Sequence, residues 1–152
     1  MYEHDGHQLA QKVADVMYSR DAAAQALNIE VQYVDEGNAT LLMRVRDDML
    51  NGLGICHGGM IFALADTAFA YACNSYNFNT IASGCSIDYV APAHKDDTLV
   101  AMAEERTRSG RTGVYDVTVM NQEKKVIALF RGNSYRIKGE VIPNTEEEDA
   151  AS

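Results

Sequence analysis

The sequence predicts an α+β fold in which one antiparallel sheet wraps a long buried helix. Three observations lead there. The run Met60–Cys73 is apolar almost without a break, with Asp66 and Thr67 as its only strongly polar residues and no Gly or Pro inside it. At 14 residues it is too long for a typical buried strand and too short to span a bilayer, so it reads as a helix covered on nearly all sides. Two strand-like stretches precede it and four follow, each bounded by turn residues. The 152 residues suit one domain with a real core, placed at residues 1–138.

In chain order, Gln8–Leu27 reads as the first helix, with Leu9, Val13, Val16 and Met17 as a rough apolar stripe. Asp21 before Ala22–Ala24 has the form of a cap and a restart, so one helix or two short ones both fit. Ile29, Val31 and Tyr33 alternate with Glu30 and Gln32; Leu41, Met43 and Val45 alternate with Arg44 and Arg46. Glu36-Gly37-Asn38 between them is turn-like, so the two strands read as a hairpin. Asp47–Ile55, with Gly52 and Gly54, is a loop leading into the central helix. The later strands are Ile81–Val90, Thr98–Thr107, Gly113–Met120 and Lys125–Ile137. In the third of these, Tyr115, Val117 and Val119 share one face, and Asp116 and Thr118 the other. Residues 139–152, with Pro143 and the acidic run Glu146–Asp149, read as a disordered tail. Of the simple architectures this order fits the hotdog fold best, a sheet curled around a helix.

Net charge is −9 at pH 7, but the tail holds five acids and no Lys or Arg. The body before it, with 13 basic and 17 acidic side chains, has no basic stripe, so nucleic acid is not expected as a partner. No stretch reads as a membrane span. The polar, acidic start lacks the character of a signal peptide. Three cysteines without metal-type spacing fit a reducing cytoplasm. His4 and His7 have a spacing that could clip a metal, but they sit in a polar end that reads as loose, and no metal is expected. No Walker-type or GxGxxG loop exists, so nucleotide hydrolysis and dinucleotide redox chemistry are not supported.

Asp66 is the first candidate for chemistry. A carboxylate in the middle of a buried helix is costly without a partner or a job, and stability alone would favour Ala or Leu there. Its plainer reading is an acid that pairs with a basic residue or caps a loop. Gly58-Gly59 sit where the helix begins, and the exposed N–H groups of a helix start can hold an oxyanion. The plainer reading of both is close packing against the sheet. Together, carboxylate and oxyanion site suggest acyl transfer. Their spacing adds a constraint. Eight residues at about 1.5 Å rise put the two backbones roughly 12 Å apart along the helix. The Asp side chain leans toward the N-terminus but does not close that gap. If both groups serve one site, two chains supply them from antiparallel central helices. That predicts a two-fold dimer with two equivalent sites at its interface.

A His57-Gly58-Gly59 triplet opening a buried helix, with a lone acid eight residues past the first Gly, resembles the hotdog-fold acyl-CoA thioesterases. Within them it is most similar to the phenylacetate-degradation (PaaI) family. LNGLGICHGG before the helix, SIDYVAPA after it, and RTGVYDVTVMNQ and VIALFRG near the end support the likeness, which covers roughly Asp21 to Lys138. The resemblance implies hydrolysis of an acyl-CoA with an aromatic acyl group of phenylacetyl or hydroxyphenylacetyl type, and a tetramer of two dimers. It implies that Asp66 attacks the thioester or activates water, and that the Gly58 N–H of the other chain holds the oxyanion. Asn51 would hold the thioester or the attacking water; its plainer reading is a turn residue. His57 is a base, an orienter of loop or carbonyl, or structural.

Thr67 bonds the substrate or simply the helix backbone. Ser83 and Ser86 lie on the strand after the helix, and one of them could face the site from the partner chain. Arg106, Arg108 and Arg111 around the Ser109-Gly110 turn form the one basic cluster, read either as a solvated hairpin end or as a seat for the phosphates of coenzyme A. Coenzyme A is then part of the substrate, and no bound cofactor is expected. Cys56 beside His57 is not read as a nucleophile, because sequence neighbours rarely meet as a dyad. Cys73 and Cys85 read as small core residues. The rivals are a hotdog enoyl-CoA hydratase or dehydratase and a non-catalytic acyl-CoA-binding module, neither of which releases a free thiol.

Overall fold

The computed structural model describes residues 2–143, with side chains from Asp5 onward. Helices α1 (Tyr2–Arg20) and α2 (Ala22–Ala26) precede strands β1 (Glu30–Asp35) and β2 (Asn38–Arg44). A short 3-10 turn leads to α3 (Gly58–Cys73), followed by β3 (Phe78–Tyr89), β4 (Thr98–Ser109), β5 (Thr112–Met120) and β6 (Val126–Glu140). The strands form one sheet in the order β1-β2-β4-β5-β6-β3, antiparallel at every pairing. Helix α3 lies mainly on β2, β4 and β5 and buries Ile61, Leu64, Ala65, Ala68, Phe69 and Ala72. This is the α+β hotdog arrangement that the element order predicts.

Asp21 does break the first helix. Its carboxylate accepts the Ala24 N–H at 3.1 Å and caps α2. Helix α1 starts six residues earlier than the apolar pattern suggests. Its buried face is Ala10, Val13 and Ala14, whereas Leu9 is 38% exposed, because small residues let the helix approach β1. His7 stacks on Tyr33 with ring centroids 5.4 Å apart, so this end is packed rather than loose. The side chain of His4 lies outside those described.

The first hairpin forms with one difference. Its register shifts between Val31 and Tyr33. One extra residue turns the following side chains to the other face, so Val34 is buried and Tyr33 half-exposed. At the other end β6 runs through Gly139 to Glu140. Asn77 then holds the chain beyond it, accepting the Val141 N–H through its carbonyl and the Ile142 N–H through its side chain. The stretch expected as tail therefore begins as ordered structure, and residues 144–152 lie outside the described ones.

Helix α3 approaches β6 so closely that a Cβ on Gly132 would stand 2.7 Å from the Phe69 ring. Gly132→Ala should cost about 1–3 kcal/mol by overpacking. The expected readout is a lower urea midpoint at unchanged slope; a wild-type midpoint would mean that Phe69 moves aside freely.

Candidate active site

The first four N–H groups of a helix lack intrahelical partners. At α3 three of the four are occupied. The Gly59 N–H donates to His57 Nδ1 at 2.8 Å, and the Met60 and Ile61 N–H groups share the His57 carbonyl at 2.9 and 3.4 Å. Among the described residues the Gly58 N–H alone has no partner. His57 is itself fixed by its own N–H, which donates to the Met49 carbonyl at 2.7 Å. Since Nδ1 accepts, the neutral imidazole carries its proton on Nε2. Of the roles considered for His57, this geometry fills the structural one, in the form of a cap on α3.

Tyr89, the last residue of β3, closes the other side of Gly58. Its hydroxyl donates to the Gly58 carbonyl at 2.8 Å. A Cβ on Gly58 would lie 3.0 Å from the nearest ring carbon of Tyr89, so any larger residue would push the ring back by a few tenths of an ångström. Sequence reasoning passed over Tyr89 because nothing in local spacing links it to a residue 31 positions away. Its only signal was its place in the SIDYVAPA segment.

Asn51 organises the loop before the helix. Its side-chain oxygen accepts the Leu53 and Ile55 N–H groups at 2.9 and 3.3 Å. That satisfies the turn reading, and it leaves the amide nitrogen free among the described residues. Asn51, Gly58, Ile61 and Tyr89 line one open hollow of 540 Å³.

Asp66 lies two turns along α3, half-buried on a stripe with Gly59, Ala63 and Ala70 that neither the sheet nor α1 covers fully. Among the described residues no donor or cation pairs with its carboxylate. Burial, with no compensating partner, pushes its pKa above the ordinary carboxylate value. The neighbouring Thr67 hydroxyl donates to the Ala63 carbonyl at 2.6 Å, the backbone reading of that residue. Ser83 sits in a bulge of β3 and donates to the Asn133 carbonyl at 3.1 Å. Ser86 pairs in register with Arg131, whose guanidinium holds Asp116 on the sheet face away from α3, so it is turned from the site. Cys56 is buried and its thiol is pushed up to about 11, chiefly by burial, a poor state for a nucleophile.

The basic cluster divides. Arg106 binds Asp116 at 2.8 Å on the outer face. Arg108 and Arg111 stand on the inner side with Arg136, which sequence reasoning did not include; all three line one pocket beyond the end of α3. Among the described residues no group of three or more His, Cys, Asp or Glu side chains could hold a metal ion. No helix there is long and apolar enough to cross a membrane.

Residues 53–128 match the model of the Thioesterase superfamily. The chain is 51% identical to the acyl-coenzyme A thioesterase PaaI of Escherichia coli over 128 residues, 84% of this chain and 91% of that one. It superposes on the structure of the E. coli PaaI protein from the phenylacetic acid degradation operon with a TM-score of 0.87, at 49% identity, covering 88% of this chain and 97% of that one. A Streptococcus mutans protein solved with acetyl CoA bound matches with a TM-score of 0.71 at 29% identity, covering 74% of this chain and 90% of that one.

Proposed function

The chain belongs to the thioesterase superfamily, and on that premise we propose how its own residues divide the work. The enzyme hydrolyses an acyl-CoA to the free carboxylic acid and coenzyme A. The observation that carries the assignment of roles is the pairing, on one helix, of a Gly58 N–H and an Asp66 carboxylate that both lack a partner among the described residues. Asp66 attacks the thioester carbon, or takes a proton from a water that does. The carbonyl electrons move onto oxygen, where the Gly58 N–H of the partner chain stabilises them. Collapse of the intermediate expels the coenzyme A thiolate, a good leaving group that needs no strong acid; where Asp66 attacks directly, water then hydrolyses the acyl–aspartyl anhydride, releasing the acid and restoring the carboxylate. Asn51 offers its free amide nitrogen to the thioester or the water, and His57 fixes the loop that carries both.

The cross-chain arrangement follows from the roughly 12 Å of helix between Gly58 and Asp66. Two surfaces support association. Strand β3 is an unpaired edge that runs beside the open stripe of α3, and Ile81, Tyr89 and Val90 along it are about half exposed. A second copy there would pair the edge and cover the stripe. The outer sheet face exposes Met102 and Leu129, a second apolar surface for joining dimers into a tetramer. Ser83, on the edge strand, reaches the partner's site in this assembly. We place the enzyme in the cytoplasm, where its three thiols stay reduced.

Tyr89→Phe tests the support of the oxyanion site. Loss of the hydroxyl frees the Gly58 peptide, so kcat should fall about 3- to 10-fold, one neutral hydrogen bond's worth, with KM nearly unchanged. An equal rise in KM would make Tyr89 a wall of the pocket instead.

The acyl group is aromatic in this reading, of phenylacetyl or hydroxyphenylacetyl type, by analogy with the E. coli relative. A thiol-release assay with aromatic against straight-chain CoA esters decides it. Aromatic esters should give the higher kcat/KM. Faster release from straight-chain esters would assign another acyl class, and no release from any would return the hydratase and binding-module readings.

A further inference from the structure

Beyond Cys73 the inner side of the sheet opens into a pocket of 270 Å³ lined by Arg108, Arg111 and Arg136. Two of these cations rest on aromatic faces. The Arg108 guanidinium lies 3.4 Å from the Tyr76 ring centroid, and that of Arg136 lies 3.5 Å from Phe78. A cation resting on a ring keeps its charge and its N–H fork. The nearest acid to Arg108 is Glu105, at 3.9 Å, and the hydroxyls of Tyr76 and Tyr115 already engage that carboxylate. Among the described residues the Arg111 side chain reaches only the Arg136 carbonyl, at 3.4 Å. Among the described residues Arg136 has no acid partner. Three such charges around one small pocket repel each other unless an anion joins them.

A separate sign points the same way. Ser134 is 4% exposed, it lines this pocket, and among the described residues its hydroxyl has no hydrogen-bond partner. The hydroxyl is not sealed in the interior but opens into the pocket, where it can donate to an anion seated between the arginines.

We propose that this pocket seats a phosphate of the CoA ester, with Arg136 as its third cation beside Arg108 and Arg111 and the Ser134 hydroxyl as a further donor. The identity of the ligand rests on the thioesterase reading above. Phosphate suits the site because its oxygens match the guanidinium fork bidentately and its charge answers more than one cation. Cys73, at the pocket's edge, is seven residues from Asp66, about 10 Å along the helix. The extended pantetheine arm between thioester and pyrophosphate spans that distance.

The test compares one aromatic acyl group on three carriers: coenzyme A, dephospho-coenzyme A, which lacks the 3′-phosphate, and N-acetylcysteamine, which has no phosphate. Arg136→Gln should raise KM for the CoA ester about tenfold, the worth of one charge-assisted hydrogen bond, at unchanged kcat, and leave KM for the N-acetylcysteamine ester as it was. Arg106→Ala, on the outer face, is the control and should change neither. A penalty that vanishes on the dephospho ester identifies the 3′-phosphate as the seated group, and one that persists identifies the pyrophosphate. Equal changes on CoA and N-acetylcysteamine esters, or no change on either, overturn the proposal. If the wild type turns over none of the three, the thioesterase reading fails separately. Calorimetric binding of coenzyme A itself then tests the pocket, with about tenfold weaker binding by Arg136→Gln expected and equal binding overturning it.

Discussion

Asp66→Asn should abolish thiol release, lowering kcat by at least about 10³-fold, while the chain still folds and binds the ester. The substitution keeps shape and removes only the charge and the basic lone pair. An amide neither attacks a thioester nor takes a proton from water, so both versions of the mechanism predict the same loss. The local geometry leaves no deputy. Thr67 is tied to the Ala63 carbonyl, and the buried Cys56 thiol is held protonated. Turnover near the wild-type rate would remove Asp66 from the chemistry.

The raised pKa of Asp66 makes two pH predictions. The reactive form is the carboxylate, so kcat/KM should rise with pH on an acid limb whose midpoint lies above that of an ordinary aspartate, because burial disfavours the charge. Stability runs the opposite way. With the folded pKa above the unfolded one, the protonated form is favoured by folding. Below the unfolded pKa the carboxylate costs nothing. Its penalty grows as pH rises through the folded pKa and is complete above it. Asp66→Asn should therefore raise Tm at neutral pH and lose that advantage in acid. A lower Tm at neutral pH would mean that the carboxylate has a stabilising partner.

What could be read from the sequence was whatever depends on local periodicity. Met60–Cys73 declared itself by unbroken apolarity, and its start at Gly58 followed from paired glycines. The strands declared themselves by alternation, as in Tyr115, Val117 and Val119, all buried. Bulges defeated the rest. Arg106 and Arg108 have the same parity, and a regular strand would aim them together. The register shift between Glu105 and Thr107 turns Arg106 to the opposite face, where Asp116 takes it. The same device hid the sidedness of Tyr33. Arg136 and Tyr89 were missed for another reason. Each joins its site through contacts 25 or more residues distant in sequence, and an outward-facing strand residue would look the same.

Gly58→Pro should lower kcat by about 10²–10³-fold, the effect of losing one oxyanion donor, and comparison with Gly58→Ala isolates that donor. Both substitutions put a Cβ where it meets the Tyr89 ring at 3.0 Å. Only proline also deletes the N–H. Proline suits the first position of a helix, and the residue before it, His57, already has the extended ψ of 132° that a following proline demands. The helix start therefore survives, and the excess loss of the Pro variant over the Ala variant measures the free N–H. Equal losses would mean that crowding against Tyr89, and not the hydrogen bond, governs the site. The same variant decides where the second group comes from. In a dimer of one Asp66→Asn chain and one Gly58→Pro chain, cross-chain sites pair the intact Asp66 with the intact Gly58 at one interface and both lesions at the other. Random mixing of exchanging chains makes half the dimers mixed, so about one quarter of wild-type activity should return. Two inactive parents that stay inactive after demonstrated exchange would place both groups in a single chain, against the 12 Å or so that α3 puts between them.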